Sequence, residues 1–418
     1  MCKRVYLVGI GPGKENQMTM EAQEILRRCD AVIGARRMVR QAAVLLKESG
    51  HASGEVLESY QPEAIGAWLK ERDHIRTAAV LLSGDPGFYS GARKLKAVLA
   101  EYEVIVVPGI SSVVYLAGKL GVSWEDAKLA SIHGRSQNYV QMIAWNAKTF
   151  LLLGGKENGA EVCGKIREYD LNRLTFWIGR NLSYPEEEIF CRRGEELCPQ
   201  DLDGLCTVLV QNEQPDLRIG RSIPDEEWIR GKVPMTKEEI RTISLAKLEL
   251  CEHAVLYDVG AGTGSVAVEA AGRSDTIRVY AVEQKEEGIR LIEENKRKFR
   301  ADWVTPVFGK APEALEQLEP PTHVFIGGSS GNLKEILACV KQKNPDVRIV
   351  LNAISLETLR EVLEAQECGL LRNPEIVQVS VSRARTLGAY HMMTGLNPVY
   401  IISEGRPEPS EDQLGKVL

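Results

Sequence analysis

Asp258 to Ser265, in the second half of the chain, carries a glycine at every second position from Gly260 to Gly264. An apolar run from Ala254 to Tyr257 precedes this segment, and a run suited to a helix, Val266 to Ala271, follows it. Glycine lets a backbone turn tightly and approach a ligand closely. The segment therefore predicts a strand, a glycine loop and a helix, which is the unit that many α/β proteins use to bind nucleotides.

An acidic residue stands at the position where such a unit needs one. The strand predicted over Arg278 to Val282 ends at Glu283, about 20 residues after the loop, where a carboxylate can accept hydrogen bonds from both hydroxyls of a ribose. The loop itself begins with Asp258, which resembles motif I of class I methyltransferases more than the loop of dehydrogenases. We therefore expect Asp258 to face the amino-acid part of S-adenosylmethionine, directly or through water. The alternatives are a turn residue for Asp258 and a solvated strand end for Glu283.

Three further segments complete the prediction for this half. Thr236 to Glu239 has the form of a capping box and predicts a helix from about 237 to 250. A third strand leads to Gly309 and Ala311, near the expected place of an adenine ring. The fourth strand, His323 to Ile326, is followed by two glycines and a serine instead of the Asn/Asp-Pro-Pro-aromatic motif of many amine methylases. The open space beside the sulfonium favours a bulky carbon acceptor.

The first half contains three loops of a different kind. They run from Gly9 to Gly13, from Ser83 to Phe88 and from Pro108 to Ser112, each after an apolar strand-like run. Pro12 removes a backbone donor that a phosphate cradle would use, so the first loop is not a dinucleotide fingerprint. Each loop alone could be simple turn chemistry. Together, at successive strand ends, they predict the rim of a ligand site in an open α/β sheet.

Apolar strands alternate with helical stretches along the whole chain, which indicates α/β architecture with largely parallel sheets. Strands are expected at 104–107, 149–153, 175–178 and 207–210. A polar stretch from Gln211 to Arg221 predicts a linker, so we expect one domain over 1–212 and a second over 222–403. The tail from Glu404 is polar and contains prolines, and we expect it to fray.

Composition narrows the class of protein. A chain of 418 residues is too long for one ordinary core and predicts two or three domains. The net charge of −6 and the pI of about 5.8 argue against a nucleic-acid partner. We find no signal peptide and no apolar run of the roughly 20 residues that a membrane helix needs. The nine cysteines include no C-x-x-C pair, so we expect no metal site and a cytoplasmic protein.

The three loops of the first half, in their order, resemble the tetrapyrrole methylase family, the class III methyltransferases. The Ser83 to Phe88 loop and the His133-Gly134-Arg135 segment are most similar to the branch that methylates carbon 5 of precorrin-7. The second half resembles the class I enzymes that methylate carbon 15 of precorrin-6B and remove a carboxyl group. Together the halves resemble the fused precorrin-6Y C(5,15)-methyltransferase family of cobalamin biosynthesis. The resemblance implies a tetrapyrrole methylase fold of two α/β subdomains, followed by a Rossmann-like class I methyltransferase.

The resemblance also implies two S-adenosylmethionine sites, a tetrapyrrole substrate and a homo-oligomer. It assigns the following residues to the two cofactor sites: Pro12, Gly84, Asp85, Phe88 and Ser112 to the first, and Asp258, Gly260, Gly262, Thr263, Glu283, Gly309 and Ala311 to the second.

No catalytic residue is assigned, because an enamine-like carbon of a reduced macrocycle needs alignment more than a strong base. The candidates for catalysis are His133, Arg135 and Arg241. Arginines that could bind substrate carboxylates also include Arg36, Arg37, Arg383 and Arg385. For each of these, a surface or structural role is the alternative.

Two other functions are compatible with the sequence. Relatives of the first half methylate ribosomal RNA or a modified histidine of elongation factor, although the acidic pI and the missing amine motif count against an RNA or protein methyltransferase. A non-catalytic tetrapyrrole carrier is the second alternative, and the presence of both Asp258 and Glu283 counts against it.

Overall fold

The computed structural model of the protein describes residues 3–40, 42, 54–132, 137–154, 156–217, 220 and 222–405. The catalytic candidates His133 and Arg135 lie outside these described residues. The chain forms two compact units, the first containing residues 1–136 and 146–215 and the second containing 137–145 and 216–418. The helix Tyr139–Trp145 thus belongs to the second unit, although it precedes the last strands of the first. The predicted domain limits of 1–212 and 222–403 place this helix in the first domain instead.

The first unit begins with a five-stranded parallel sheet. Its strands are β1 (Arg4–Gly9), β2 (Ala31–Gly34), β3 (Glu55–Glu58), β4 (Thr77–Leu82) and β5 (Glu103–Val107), in the order β3-β2-β4-β1-β5. The accompanying helices are α1 (Met20–Arg28), α2 (Pro62–Lys70), α3 (Ala92–Val98) and α4 (Ser112–Leu120). Central strands such as β1 and β4 are almost continuously apolar because a parallel sheet is covered on both faces.

The second sheet of this unit is mainly antiparallel. It contains β6 (Lys128–Ser131), β7 (Lys148–Gly154), β8 (Thr175–Arg180), β9 (Glu188–Arg193) and β10 (Leu205–Gln211), with α5 (Tyr139–Trp145) and α6 (Lys156–Glu168) between strands in the chain. Only β6 and β7 pair in parallel within the order β6-β7-β10-β8-β9. The four predicted strands are confirmed as parts of β5, β7, β8 and β10. The expectation of a largely parallel arrangement is wrong for this sheet, because short connections such as the one between β8 and β9 return the chain antiparallel.

The second unit contains a seven-stranded sheet. Its strands are β11 (Val255–Val259), β12 (Arg278–Glu283), β13 (Val304–Phe308), β14 (His323–Ile326), β15 (Arg348–Ala353), β16 (Glu375–Val379) and β19 (Val399–Glu404). They follow the order β13-β12-β11-β14-β15-β19-β16, in which β11 to β15 are parallel and β19 is antiparallel to both neighbours. The chain order reverses between β11 and β14. Such a switch point is where ligands bind at the carboxyl edge of an open sheet.

The helices of this unit are α7 (Glu238–Leu248), α8 (Ser265–Ala271), α9 (Glu286–Lys298), α10 (Leu333–Lys343) and α11 (Leu356–Glu367). Two more strands, β17 (Ser382–Leu387) and β18 (Tyr390–Gly395), form a separate antiparallel hairpin. The predicted strand, glycine loop and helix around Asp258 are confirmed as β11, the loop and α8.

The capping box predicted at Thr236 is wrong. The helix α7 begins after Lys237, whose side chain makes no capping hydrogen bond. The amide of Glu238 instead donates to Asp225 Oδ1 at 3.1 Å, and Glu239 forms an ion pair with Arg383. A buried carboxylate 13 residues upstream therefore caps the helix, which local sequence cannot reveal.

Within the described ranges, no helix is both long enough and apolar enough to cross a membrane.

Candidate active sites

Three loops meet at the carboxyl edge of the parallel sheet in the first unit, as the sequence predicts. Gly11 and Gly84 exchange two backbone hydrogen bonds of 2.9 and 3.2 Å, which join the loops after β1 and β4. Gly109, after β5, donates its amide to Asp85 Oδ2 at 3.0 Å. The helix α4 then begins at Ser112, with the Ser111 hydroxyl accepting from the Val114 amide.

Asp85 organises these loops. Its Oδ1 accepts from the amide of Gly87 at 2.7 Å, while Oδ2 takes the bond from Gly109. Both carboxylate oxygens therefore bind backbone amides, and the side chain fixes the shape of the rim. The structure adds this positioning role to the cofactor-binding role that resemblance implies for Asp85.

Glycine is required where the loops cross. A Cβ added to Gly109 would lie 2.2 Å from the Gly84 carbonyl oxygen, and one added to Gly9 would lie 2.7 Å from the same oxygen. These backbones are too close for any side chain. A Cβ at Gly13 would likewise lie 2.6 Å from the ring of Tyr184, so this ring packs directly on the first loop.

A cavity of about 480 Å³ opens beside the three loops. All five predicted residues of the first site line it: Pro12, Gly84, Asp85, Phe88 and Ser112. Its lining also includes Arg37 and Tyr184, whose guanidinium carbon and ring centroid are 5.6 Å apart. The sequence gives no local signal for Tyr184, because the sheet brings it to the loops from far along the chain.

The glycine loop of the second unit encloses the carboxylate of Glu283. Glu283 Oε2 accepts from the amide of Gly262 at 2.9 Å, and Oε1 accepts from the amide of Lys285 at 2.9 Å. The glycines allow close contacts, since a Cβ on Gly260 would lie 2.7 Å from the Gly328 carbonyl oxygen and one on Gly262 would lie 2.4 Å from that of Pro234. The loop, the β12 end and the β14 end are thus brought together at the switch point.

A cavity of about 180 Å³ lies at this junction. Five of the predicted residues line it: Gly260, Gly262, Glu283, Gly309 and Ala311. Asp258 and Thr263 are buried and do not lie on this lining. The lining also contains Pro234 and Ser329, which the assigned residue set missed, and Ser329 donates to Glu361 Oε2 on α11 at 3.1 Å.

Asp258 is an unusual buried carboxyl group. Its Oδ2 accepts from the Ala267 amide at 3.0 Å, and its Oδ1 has no hydrogen-bond partner among the described residues. Burial raises the pKa of Asp258 to about 7, the Ala267 amide opposes this, and the negative charge of Glu283 adds to it. A cation placed near Oδ1 would therefore favour the charged form of Asp258 and lower its pKa.

Arg241 does not reach either cavity, which counts against its candidacy as a catalytic or substrate-binding residue. Its side chain is fully buried, and its Nε donates to Glu269 Oε1 at 2.6 Å. The guanidinium also donates to the carbonyls of Ile223 and Thr236 and lies 5.1 Å from the Trp228 ring. Arg241 therefore ties α7 to the segment before it and to α8, as a structural residue.

The other arginine candidates also differ in their ion pairs, their exposure and their distance from the cavities. Arg383 binds Glu239 through two hydrogen bonds of 2.6 and 2.8 Å and contacts Asp225, while Arg385 is exposed on the hairpin. Arg36 is exposed with its Nε 3.8 Å from Glu58, and it does not line the cavity that Arg37 lines. In the part of the chain that the structure describes, no cluster of His, Cys, Asp and Glu side chains is arranged to hold a metal ion.

The fold and these sites define a methyltransferase of the S-adenosylmethionine-dependent class. The family model described as "Tetrapyrrole (Corrin/Porphyrin) Methylases" matches residues 4–198, and the "Precorrin methyltransferase domain" model matches residues 227–404.

Two relatives agree with these matches, and one solved structure is similar to part of the chain. A probable cobalt-precorrin-6B C(15)-methyltransferase (decarboxylating) of Pyrobaculum calidifontis is 44% identical over 43% of this chain and 94% of its own length. The cobalt-precorrin-6B C(15)-methyltransferase (decarboxylating) of Salmonella typhimurium is 37% identical over 43% of this chain and 93% of its own length. A crystal structure of a precorrin-6Y C5,15-methyltransferase from Geobacter metallireducens is 37% identical, with a TM-score of 0.43, over 45% of this chain and 100% of that one. The chain belongs to the precorrin methyltransferase family.

Proposed function

We propose that this chain methylates a precorrin or cobalt-precorrin at carbons 5 and 15 and removes the carboxyl group of the ring C acetate, in cobalamin biosynthesis. The first unit would methylate carbon 5, and the second would methylate carbon 15 and decarboxylate. One observation carries the proposal: two glycine-rimmed cavities occur in two different folds of a single chain, and the loops that rim each cavity lie within the range matched by its own methyltransferase family.

The proposal includes two S-adenosylmethionine sites, and the residues present suit that ligand. In the second unit, Glu283 can accept bonds from ribose hydroxyls even while it accepts two amides, because an ionised carboxylate has about four lone-pair sites. The unpartnered Oδ1 of the buried Asp258 is compatible with a nearby cation or an ordered water. Gly309 and Ala311 would lie beside the adenine.

In the first unit the three loops present mainly backbone and small side chains to the cavity, and most of the remaining lining is apolar, which suits an uncharged adenosine better than a phosphate. Pro12, Gly84 and Ser112 would contact the cofactor, and the Phe88 ring would supply an apolar surface. Asp85 would act by holding the Gly84 and Gly109 loops together.

S-adenosylmethionine, when bound, supplies the methyl group to a nucleophilic carbon of the macrocycle. The protein must align this carbon with the methyl and exclude water, and no strong base is needed in the bond-forming step. Gly327, Gly328 and Ser329 leave room for a bulky acceptor at the end of β14. A proton leaves the methylated carbon afterwards, and His133 and Arg135 stay as candidates for proton transfer in the first unit.

Decarboxylation requires a place for the electron pair of the broken carbon–carbon bond. A protonated ring imine beside the acetate arm of the substrate can accept that pair. The second unit would then only have to hold the acetate in the geometry for cleavage. This step needs no resident metal or organic cofactor.

Mass spectrometry of the product tests the proposal. Purified protein is incubated anaerobically with labelled S-adenosylmethionine and precorrin-6B, and in parallel with its cobalt form. We expect a product with two added methyl groups and one carbon dioxide lost, from one or both substrates. Failure to transfer a methyl group to either substrate would overturn the proposal. A gel-shift assay with ribosomal RNA addresses the alternative of an RNA methyltransferase, and we expect no shift.

We also propose a homo-oligomer assembled through the β17–β18 hairpin. This isolated two-stranded sheet exposes Leu387, Tyr390, Met392 and Met393, and both a lone hairpin and an exposed apolar patch are stabilised by association. A second copy of the same hairpin offers complementary apolar surface and unpaired strand edges. Light scattering of wild type and of Met393→Glu tests this, and a lower mass for the variant is expected.

A further inference from the structure

We propose that Arg37 anchors a carboxylate side chain of the tetrapyrrole in the first cavity and thereby positions the macrocycle for methyl transfer. The inference rests on the proposed function of the first unit. It deepens that function by naming the residue that would select a polycarboxylate substrate.

The ring of Tyr184 holds the Arg37 guanidinium at the wall of the first cavity. Its guanidinium carbon lies 5.6 Å from the Tyr184 ring centroid, and the same ring packs on Gly13 of the first loop. Tyr184 thus connects the guanidinium to the loop that also contributes Pro12 to the lining. A guanidinium stacked on an aromatic face loses side-chain freedom before it binds a ligand, which makes binding less costly.

Among the described residues, the cavity lining contains no carboxylate that competes for this cation. Arg37 and Asp85 are the charged residues of the described lining, and both Asp85 oxygens accept backbone amides. No ion pair of Arg37 with a described carboxylate is present. The adjacent Arg36 differs, since it is exposed, lies outside the lining and has Glu58 within 3.8 Å.

The chemistry fits a carboxylate better than any other acceptor. The planar guanidinium can donate two parallel hydrogen bonds to a carboxylate, and the apolar wall around it strengthens that interaction. The wall includes Phe88, Leu152 and Leu182, which suit the face of a macrocycle. A cation at one side and an apolar wall elsewhere match a flat ligand with acidic side chains.

To test the anchoring role of Arg37, carbon-5 methylation is measured for Arg37→Gln, with Arg36→Gln as the matched control. A lost charged hydrogen bond predicts a KM for the tetrapyrrole that is roughly 10- to 100-fold higher, with kcat nearly unchanged at saturation. Arg37→Lys keeps the positive charge but lacks the paired donors of the planar guanidinium, and it should give an intermediate KM. Titration with S-adenosylhomocysteine should give wild-type stoichiometry and affinity for all three variants. A KM within twofold of wild type for Arg37→Gln, or loss of S-adenosylhomocysteine binding at one site, would overturn the inference.

A direct binding measurement separates this inference from the proposed activity. The probe is uroporphyrin III, a porphyrin with a carboxylate on every side chain, and its fluorescence is followed during titration with full-length protein. We expect weaker binding to Arg37→Gln than to wild type and Arg36→Gln, whether or not any variant transfers a methyl group. Equal binding to all three proteins, or no binding to wild type, would contradict the anchor. Missing methyl transfer alone would count only against the proposed function.

Discussion

Asp258 is a buried carboxyl group whose charged form lowers the stability of the unliganded fold. It lies fully buried within β11, and burial raises its pKa to about 7 from an ordinary value near 3.8. A group whose folded pKa is raised stabilises the fold at low pH, and that stability is lost as the pH rises through the folded value. At pH 8 the unliganded protein must therefore hold a charge with an unpartnered oxygen among the described residues.

We expect Asp258→Asn to unfold at higher urea concentration than wild type at pH 8 but to lose much of this advantage at pH 5. The gain at pH 8 is bounded by about 4 kcal/mol, because the amide needs no charge desolvation and its oxygen can still accept from Ala267. Cofactor affinity at the second site should fall. Exposed Asp346→Asn is the control and should follow wild type. An effect of Asp258→Asn that does not change with pH would contradict this account.

His323 is a buried group with the opposite pH dependence. Its ring is fully buried at the start of β14, and Nδ1 lies 2.7 Å from Thr322 Oγ1. Burial lowers its pKa to about 4, and the charge of Arg348 contributes in the same direction. The folded protein thus keeps a neutral imidazole where the unfolded chain would be protonated.

Between pH 7 and pH 5 this histidine should cost about 2 kcal/mol of unfolding free energy, because only the unfolded chain takes up the proton in that interval. Asp258 takes up a proton in the folded protein over the same interval and offsets this cost in wild type, so the effect is measured as a difference between proteins. His323→Gln should gain about 2 kcal/mol relative to wild type in urea unfolding when the pH falls from 7 to 5. His391→Gln, an exposed hairpin histidine, should keep the wild-type pH dependence. If His323→Gln also keeps the wild-type pH dependence, His323 is not the responsible group.

Single-residue chemistry could be predicted from the sequence only where the contacts are local. Glu283 and the glycines were found because strand, loop and helix follow one another in the chain. The roles of Arg241, Asp225 and Glu269 could not be found, since these residues meet only after α7 and α8 pack. The same packing buries Arg241, which the sequence indicated as a candidate catalytic or substrate-binding residue.

At the scale of elements, the first site depends on three loop backbones that contact one another without side chains between them. Asp85 joins two of the loops, and Gly109 allows them to approach. The sequence predicted three loops at successive strand ends, since apolar runs and turn residues are local signals. It did not predict the antiparallel second sheet or the transfer of α5 to the second unit, because both depend on which distant strands and helices pair.

Gly109→Ala should abolish carbon-5 methylation. The new Cβ would lie 2.2 Å from the Gly84 carbonyl oxygen, so the loops must separate and the cavity rim must change. Gly118→Ala is the matched control, because it lies in α4 with no atom within 4 Å of a new Cβ and should gain roughly 0.5–1 kcal/mol in stability. Product analysis measures the first effect and thermal unfolding the second. Wild-type methylation by Gly109→Ala would show that loop contact is dispensable.

At the scale of the whole molecule, each unit contains hydrophobic clusters of its own. One cluster of the first unit surrounds Val5, Leu7 and Val80, and one of the second surrounds Leu256, Ala267 and Val279. Neither cluster includes residues of the other unit. A variant that damages one cavity should therefore leave the other unit folded and able to bind its cofactor.

Mixing two single-site variants tests whether the units need to act within one chain. Gly109→Ala is defective in the first cavity, and Gly260→Ala should be defective in the second, because its Cβ would lie 2.7 Å from the Gly328 carbonyl oxygen. Neither variant alone should give the doubly methylated, decarboxylated product. The mixture should, because the intermediate can leave one protein and bind another, whichever reaction comes first. Since the order of the steps does not affect this result, a mixture that stays inactive while each variant performs its own half-reaction would indicate that the intermediate is passed within a chain.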